Sequence, residues 1–222
     1  AFVIYVSLRG QAPSLKPGVY EFANQTISDI ARLLVAGGSD EQNITIPEGW
    51  SATEIGEFLE KKNILPNRDF KGRISAEAAI GLASRFPALK DKPKDAELEG
   101  YLFPDTYRIS KRASADELVE KMLKNFETKL TSGMREQARR QGRSVFELVT
   151  MASLIEKEVV SQQDREIVSG ILWKRLELGI PLQVDATVVY AKRERGEQIV
   201  LSGRVSTQDT KIRSPYNTYL AP

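Results

Sequence analysis

The chain has 222 residues, room for one large domain or two small ones, and 41% of them are hydrophobic, so a real core can be buried. Charged residues make up 28% with a formal net charge of +2, a balance that offers no clustered basic face of the kind nucleic acid binding needs. Cysteine and histidine are both absent, which excludes thiol nucleophiles, disulfides, thiolate or imidazole metal sites and any Ser-His-Asp triad; carboxylates, lysines, tyrosines and hydroxyls are left to do chemistry, and neither a metal nor a cofactor is expected.

The opening Phe2-Val3-Ile4-Tyr5-Val6 is too short to cross a membrane, and no stretch reaches the ~18–20 apolar residues a spanning helix needs. Two segments then repeat a pattern at an offset of 25 residues. Thr26-Ile27-Ser28-Asp29-Ile30 and Ser51-Ala52-Thr53-Glu54-Ile55 each set a hydroxyl three residues before an acid, the reciprocal capping arrangement that starts a helix. The same offset carries Leu33 onto Phe58 and Leu34 onto Leu59. Each helix follows an alternating segment, Val19-Tyr20-Glu21-Phe22 in the first case and Ile44-Thr45-Ile46 in the second. Two strand-helix units are too few for a solenoid, so residues 1–98 read as a small α+β domain. Residues 87–98, PALKDKPKDAEL, hold two prolines and alternating charge and read as its closing linker.

Beyond the linker, residues 99–222 read as mostly helical. Ser114 with Glu117 opens a helix whose apolar positions are Leu118, Val119, Met122, Leu123, Phe126 and Leu130. The basic run Arg135, Arg139, Arg140 and Arg143 reads as a solvated helix end. A second helix is expected from about Ser144 to Val160, and a third from about Asp164 to Leu178, stopped by Gly179 with Pro181 beyond. Leu182-Gln183-Val184 is strand-like and leads into Asp185. The remainder is rich in Gly, Ser and Thr and ends in Ser214-Pro215-Tyr216-Asn217-Thr218-Tyr219.

The helix over 144–160 carries the chemical argument. On a wheel of roughly 100° per residue, Val145, Leu148, Val149, Met151, Ala152, Ile155, Val159 and Val160 share one broad arc, and Glu147, Thr150, Lys157, Glu158 and Ser161 the other. Glu156 falls inside the apolar arc. Ionised glutamates are rarely buried without a partner, and a desolvated carboxyl holds its proton more tightly. Such a group can act as a general acid and then, once deprotonated, as a base. The wheel alone leaves a second reading equally open: Glu156 paired with a Lys or Arg for structural reasons. Three further clusters combine aromatic and polar side chains. Glu99-Gly100-Tyr101-Leu102-Phe103-Pro104-Asp105-Thr106-Tyr107 offers ring faces with acids beside them, and its alternative is a packed aromatic turn. Asp185 is either a site residue or a turn and cap residue, and Tyr216-Asn217-Thr218-Tyr219 either a set of sugar hydrogen-bonding groups or an ordinary loop.

Together these pieces resemble the endolytic murein transglycosylase (YceG-like) family: EGYLFPDTY at 99–107, MASLIEKE at 151–158, LQVDATVVY at 182–190 and SPYNTY at 214–219, in the family's order. LKPGVYEF at 15–22 and ITIPEGWSATEI at 44–55 resemble its LysM-like N-terminal region. The resemblance implies an α+β chain, with a LysM-like domain over 1–98 and a mostly helical catalytic domain over 99–222. It implies a lyase that cleaves the MurNAc-β-1,4-GlcNAc bond within glycan strands and leaves 1,6-anhydroMurNAc ends, with Glu156, the first Glu of SLIEKE, as acid and then base. Glu99, Tyr101, Asp105, Gln183, Asp185, Thr187, Asn217 and Tyr219 are the expected substrate-binding residues, with Tyr101 and Tyr219 on sugar rings; Asp105 reads equally as a cap for its own turn. The implied partners are peptidoglycan strands and enzymes of cell-wall synthesis, and the implied location is the bacterial cell membrane, with a single-pass anchor upstream and the catalytic domain facing the periplasm or wall. Asp185-Ala186-Thr187 stands where the family usually has Asp-Pro-Thr, and the family continues beyond the position of Pro222. Two other functions fit the residues: a non-catalytic LysM-like peptidoglycan-binding protein, and a lysozyme-type hydrolase, which would need a second carboxylate.

Overall fold

The computed structural model describes residues 2–18, 20, 22, 24–37, 41–159, 161–197 and 205–220. Among these residues the chain is α+β, with ten α-helices and one two-stranded antiparallel sheet. In chain order the elements are α1 (Phe2–Leu8), α2 (Ile27–Ala36), β1 (Glu41–Thr45), α3 (Ala52–Lys61), α4 (Asn67–Ile74), α5 (Ala76–Leu82), β2 (Thr106–Ser110), α6 (Ala115–Lys129), α7 (Ser132–Arg140), α8 (Val145–Glu158), α9 (Gln162–Glu177) and α10 (Asp185–Glu194). The chain groups into two compact units, each built from separated stretches: residues 1–73 with 104–122, and residues 74–103 with 123–222.

In the first unit both expected capping boxes form. Thr26 and Asp29 exchange side-chain and backbone hydrogen bonds at the start of α2, and Ser51 and Glu54 do the same for α3. The repeat is unequal in packing. α3 buries Ala52, Ile55, Gly56 and Leu59, whereas α2 buries only Ala31 and leaves Leu33 exposed. The expected strand Ile44–Ile46 is the end of β1, which pairs with β2 in the register Ile44↔Tyr107 and Thr45↔Thr106. Ile44, Tyr107 and Ile109 are buried while Thr45 and Thr106 face solvent, where their hydroxyls lie 2.9 Å apart. The other expected strand, Val19-Tyr20-Glu21-Phe22, includes Val19 and Glu21, which lie outside the described residues.

Two readings change in the second unit. Residues 87–98 are not a free linker. Pro87 starts a 3₁₀ turn in which Ala88 and Leu89 are buried, and Leu98 is buried completely. The Ala88 amide donates to Glu127 Oε1 at 2.6 Å, the Leu98 amide to the Ile74 carbonyl at 2.9 Å, and Asp91 Oδ2 accepts from the first amide of α8, that of Val145, at 2.6 Å. Proline and charge had read as spacer because the buried positions of this segment follow neither a strand nor a helix period. The strand-like run Leu182-Gln183-Val184 joins no sheet among the described residues. Gln183 adopts a φ of 56°, which no strand tolerates, and Asp185 then opens α10, burying Thr187, Val188 and Ala191.

Candidate functional site

α8 begins with a third capping box, Ser144 with Glu147, and the amide and hydroxyl of Ser144 hold the Glu147 carboxyl below its usual range. Its burial departs from the wheel. Met151 is the one fully buried residue of the helix, while Ala152 on the same arc is exposed. Met151 packs in a cluster with Leu172 of α9 and with Leu182 and Val184, and Leu154, Ile155, Val168, Trp173, Leu176 and Ala186 lie against it. Glu156 is therefore not sealed in an apolar pocket. Its side chain is 34% exposed, and Oε2 stands 3.1 Å from Nη2 of Arg165, equally exposed, on the first turn of α9. Glu158 is exposed, as the wheel expected.

The stretch Glu99–Tyr101 crosses α8. Gly100 has a φ of +83°, and a β-carbon there would stand 2.6 Å from Cγ1 of Val149. Glycine lets the backbone lie directly on the helix. Val149 and Glu156 are seven positions apart, two turns on nearly the same face and roughly 10 Å along the axis. Tyr101 itself does not face a ligand. Its ring is 1% exposed and packs on Phe126 at 5.4 Å, and burial, reinforced by Asp91, pushes its hydroxyl well above the usual tyrosine range. The expected ring contact at Tyr101 is corrected on that ground. Glu99 is half-buried, and its charge, after the effect of burial, raises the hydroxyl of Tyr190 on α10. Tyr190 meets Tyr216 edge to face at 4.9 Å, and Tyr216 is 49% exposed. Asp105 belongs to the other compact unit, is exposed, and accepts from the amide of Thr106 at 2.7 Å, as a residue ordering its own turn does.

The segments 182–190 and 214–219 come together closely. Val184, the residue before α10, has no capping side chain of its own. Thr218 supplies the cap from a distance: its Oγ1 accepts from the Val184 amide at 3.1 Å and lies 3.0 Å from Thr187 Oγ1, while its carbonyl accepts from the Gln183 amide at 2.9 Å. Arg175 fixes the positive-φ turn, donating to the Pro181 carbonyl at 2.6 and 2.8 Å and to Gln183 Oε1 at 2.7 Å. Thr187 is 6% exposed and Asn217 3%. The Asn217 amide nitrogen donates to the carbonyls of Thr210 and Ile212, and its oxygen accepts from the Tyr219 amide at 3.0 Å. Both side chains are spent on structure, so neither presents a free group to a sugar, contrary to expectation. Tyr219 donates to Asp185 Oδ1 at 2.5 Å, and that bond, with burial and the charges of Asp185 and Glu158 behind it, raises its hydroxyl to about 12. The start of α10 and the C-terminal half of α8 share one cluster, on which Ile155 and Ala186 both pack.

Among the expected site residues of this unit, Glu156, Gln183, Asp185 and Tyr219 keep side chains that reach solvent wholly or in part, as does Glu158. Sequence reasoning missed Arg165; it named Tyr216 only within the cluster 216–219 and Tyr190 only within the motif 182–190, and chose neither for the site. Arg165 had a signal, a cation in the first turn of a helix where the macrodipole disfavours it. Tyr190 had none, because α10 was not anticipated. Among the described residues no group of three or more acids is placed to hold a metal ion, and no helix is long and apolar enough to cross a membrane.

Comparison with known proteins agrees with the resemblance of the motifs. The profile of the YceG-like family matches residues 1–222. The chain is 33% identical over 224 aligned residues to a Streptococcus pneumoniae protein named endolytic murein transglycosylase, covering 92% of this chain and 40% of that one. A Bacillus subtilis protein of the same name is 30% identical over 228 aligned residues, covering 99% of this chain and 61% of that one. The chain therefore spans between two fifths and three fifths of the length of these relatives. A crystal structure of a yceG-like protein from Listeria monocytogenes superposes with a TM-score of 0.67 at 27% identity, over 98% of this chain and 72% of that one. By the match along its whole length, this chain belongs to the YceG-like family.

Proposed function

We propose that this chain carries a peptidoglycan lytic transglycosylase activity, cleaving the MurNAc-β-1,4-GlcNAc bond within glycan strands, with Glu156 as the acid and then the base. The observation that carries the reading is the position of Glu156: a half-exposed carboxyl two residues from the end of α8, facing Arg165 of α9, in a chain at least 30% identical to proteins named for this reaction. Glu156 protonates the glycosidic oxygen as its bond to C1 of the muramic acid breaks. The C6 hydroxyl of that sugar attacks C1, and its proton passes to the Glu156 carboxylate. Water takes no part, the products are a free GlcNAc 4-hydroxyl and a 1,6-anhydroMurNAc end, and the enzyme regains its starting proton. One carboxyl serves both steps because the nucleophile belongs to the substrate.

Gln183, Asp185 and Tyr219 are the substrate-binding groups in this reading, with Glu99 and Tyr216 at the neighbouring cluster. The functional boundary lies near residue 98, with a LysM-like region before it that contacts glycan weakly or not at all and the catalytic region from 99 onward. The protein works at the outer face of the bacterial membrane, tethered by an anchor preceding this chain, alongside cell-wall synthesis enzymes. Mass spectrometry of digested peptidoglycan tests the reaction. Anhydro ends are expected. Reducing ends would identify a hydrolase of lysozyme type, and bound but uncut strands a wall-binding protein; either result removes the lyase reading.

A further inference from the structure

Arg165 sits where a structural arginine gains little. It is the fourth residue of α9, at the positive end of the helix dipole, where a cation is disfavoured. Its Nε is buried and has no hydrogen-bond partner among the described residues, a cost that a purely structural ion pair at a half-exposed site does not offset. Two local rules are thus broken in one residue, and the group it faces at 3.1 Å is Oε2 of Glu156. Conflicts of this kind concentrate where function requires them.

We propose that Arg165 is a positioning residue that fixes the carboxyl plane of Glu156 and divides labour between its two oxygens. The inference rests on the acid/base role of Glu156 proposed above. A guanidinium has donors only, so it occupies Oε2 whether or not the carboxyl carries a proton. With the guanidinium on Oε2, the travelling proton is carried by Oε1. Glu156 lies two residues from the end of α8 and Arg165 four residues into α9, so the ion pair bridges the turn between the helices and limits the rotamers of a side chain with three free torsions. A carboxyl held in one orientation delivers and recovers its proton at one point in space, which both halves of the reaction require.

The test compares Arg165→Ala with the unaltered protein on peptidoglycan strands, with and without millimolar guanidinium ion. Loss of positioning should lower turnover by up to ~10²-fold with KM little changed. Added guanidinium should restore a substantial part of that rate in Arg165→Ala and none in Glu156→Gln. Undiminished turnover in Arg165→Ala overturns the proposal. So does a loss that guanidinium cannot restore, since an arginine that merely staples two helices is not replaced by a dilute ion. Glu156→Gln separates the two readings. If it is inactive while Arg165→Ala is normal, only the positioning role fails; if it retains full turnover, the acid/base assignment itself fails.

Discussion

α6 and α8 are nearly the same length, 15 and 14 residues, and both carry a broad apolar arc, yet they put it to different use. α6 buries Leu118, Val119, Met122 and Leu123 almost completely. α8 buries Met151 alone and leaves Leu148, Val149, Leu154 and Ile155 half-exposed and Ala152 open to solvent. An apolar stripe states which side of a helix avoids water, but how fully it does so depends on what the rest of the chain brings to it. On α6 that is a core. On α8 it is a backbone crossing at Gly100, a small cluster around Met151, and an ion pair. The first helix is spent on burial, and the second carries the groups proposed to do chemistry.

The contrast breaks first at Glu156. Glu156→Gln should lower turnover by ~10²–10⁴-fold, the usual contribution of a general acid, with the melting temperature almost unchanged because the side chain is only partly buried. Glu158→Gln, on the exposed side, should stay far closer to normal. If Glu158→Gln is the inactive variant and Glu156→Gln the active one, the proton donor has been misassigned. Leu118→Ala should do the opposite, costing about 2–5 kcal/mol of stability with turnover per folded molecule intact, while Leu154→Ala in α8 should cost about half as much or less. Equal losses in denaturant titrations would erase the distinction between the two helices.

Gly100→Ala sharpens the comparison at the crossing. Its β-carbon would meet Val149 Cγ1 at 2.6 Å in a backbone conformation that favours glycine, so a loss of about 1–3 kcal/mol is expected. Val149→Ala removes the obstructing methyl groups, and the double variant should recover part of the loss, leaving the share due to φ. Strict additivity would show that the loop does not rest on α8. The smallest effect is one of pH. Asp209 is held far below its ordinary value of 3.8 by Lys192 and by the amide and hydroxyl of Ser206. A carboxylate depressed in the folded state stabilises the fold above its unfolded value and loses that contribution as pH falls through the folded one. The melting temperature of Asp209→Asn should therefore lie below that of the unaltered protein at neutral pH, with the gap closing only below pH 3.8. A gap independent of pH would remove the ion pair from the account.

The capping boxes at Thr26 and Ser51 were legible in the sequence because each is written within four consecutive residues, and so were the extents of α6, α8 and α9 to within about three residues. What was missed is non-local. α10 hid in a β-branched run because Thr218 caps it from 34 positions away. Residues 87–98 read as spacer because Leu89 and Leu98 are buried by partners that no window contains. The wheel singled out Glu156 by the angle of its Cα, and that angle held no information on Arg165, which reaches it from the next helix.

The cap at Thr218 has a consequence for how the chain is made. α10 leaves the ribosome with the amide of Val184, the residue before its first turn, unanswered and waits for some thirty more residues before the threonine that accepts from it is synthesised. Until then the helix has amphipathic packing but no firm beginning, and a protease acting between 197 and 213 would unpick that beginning from behind, not trim a tail. The last loop of the described chain is, in assembly, the clasp on the start of α10.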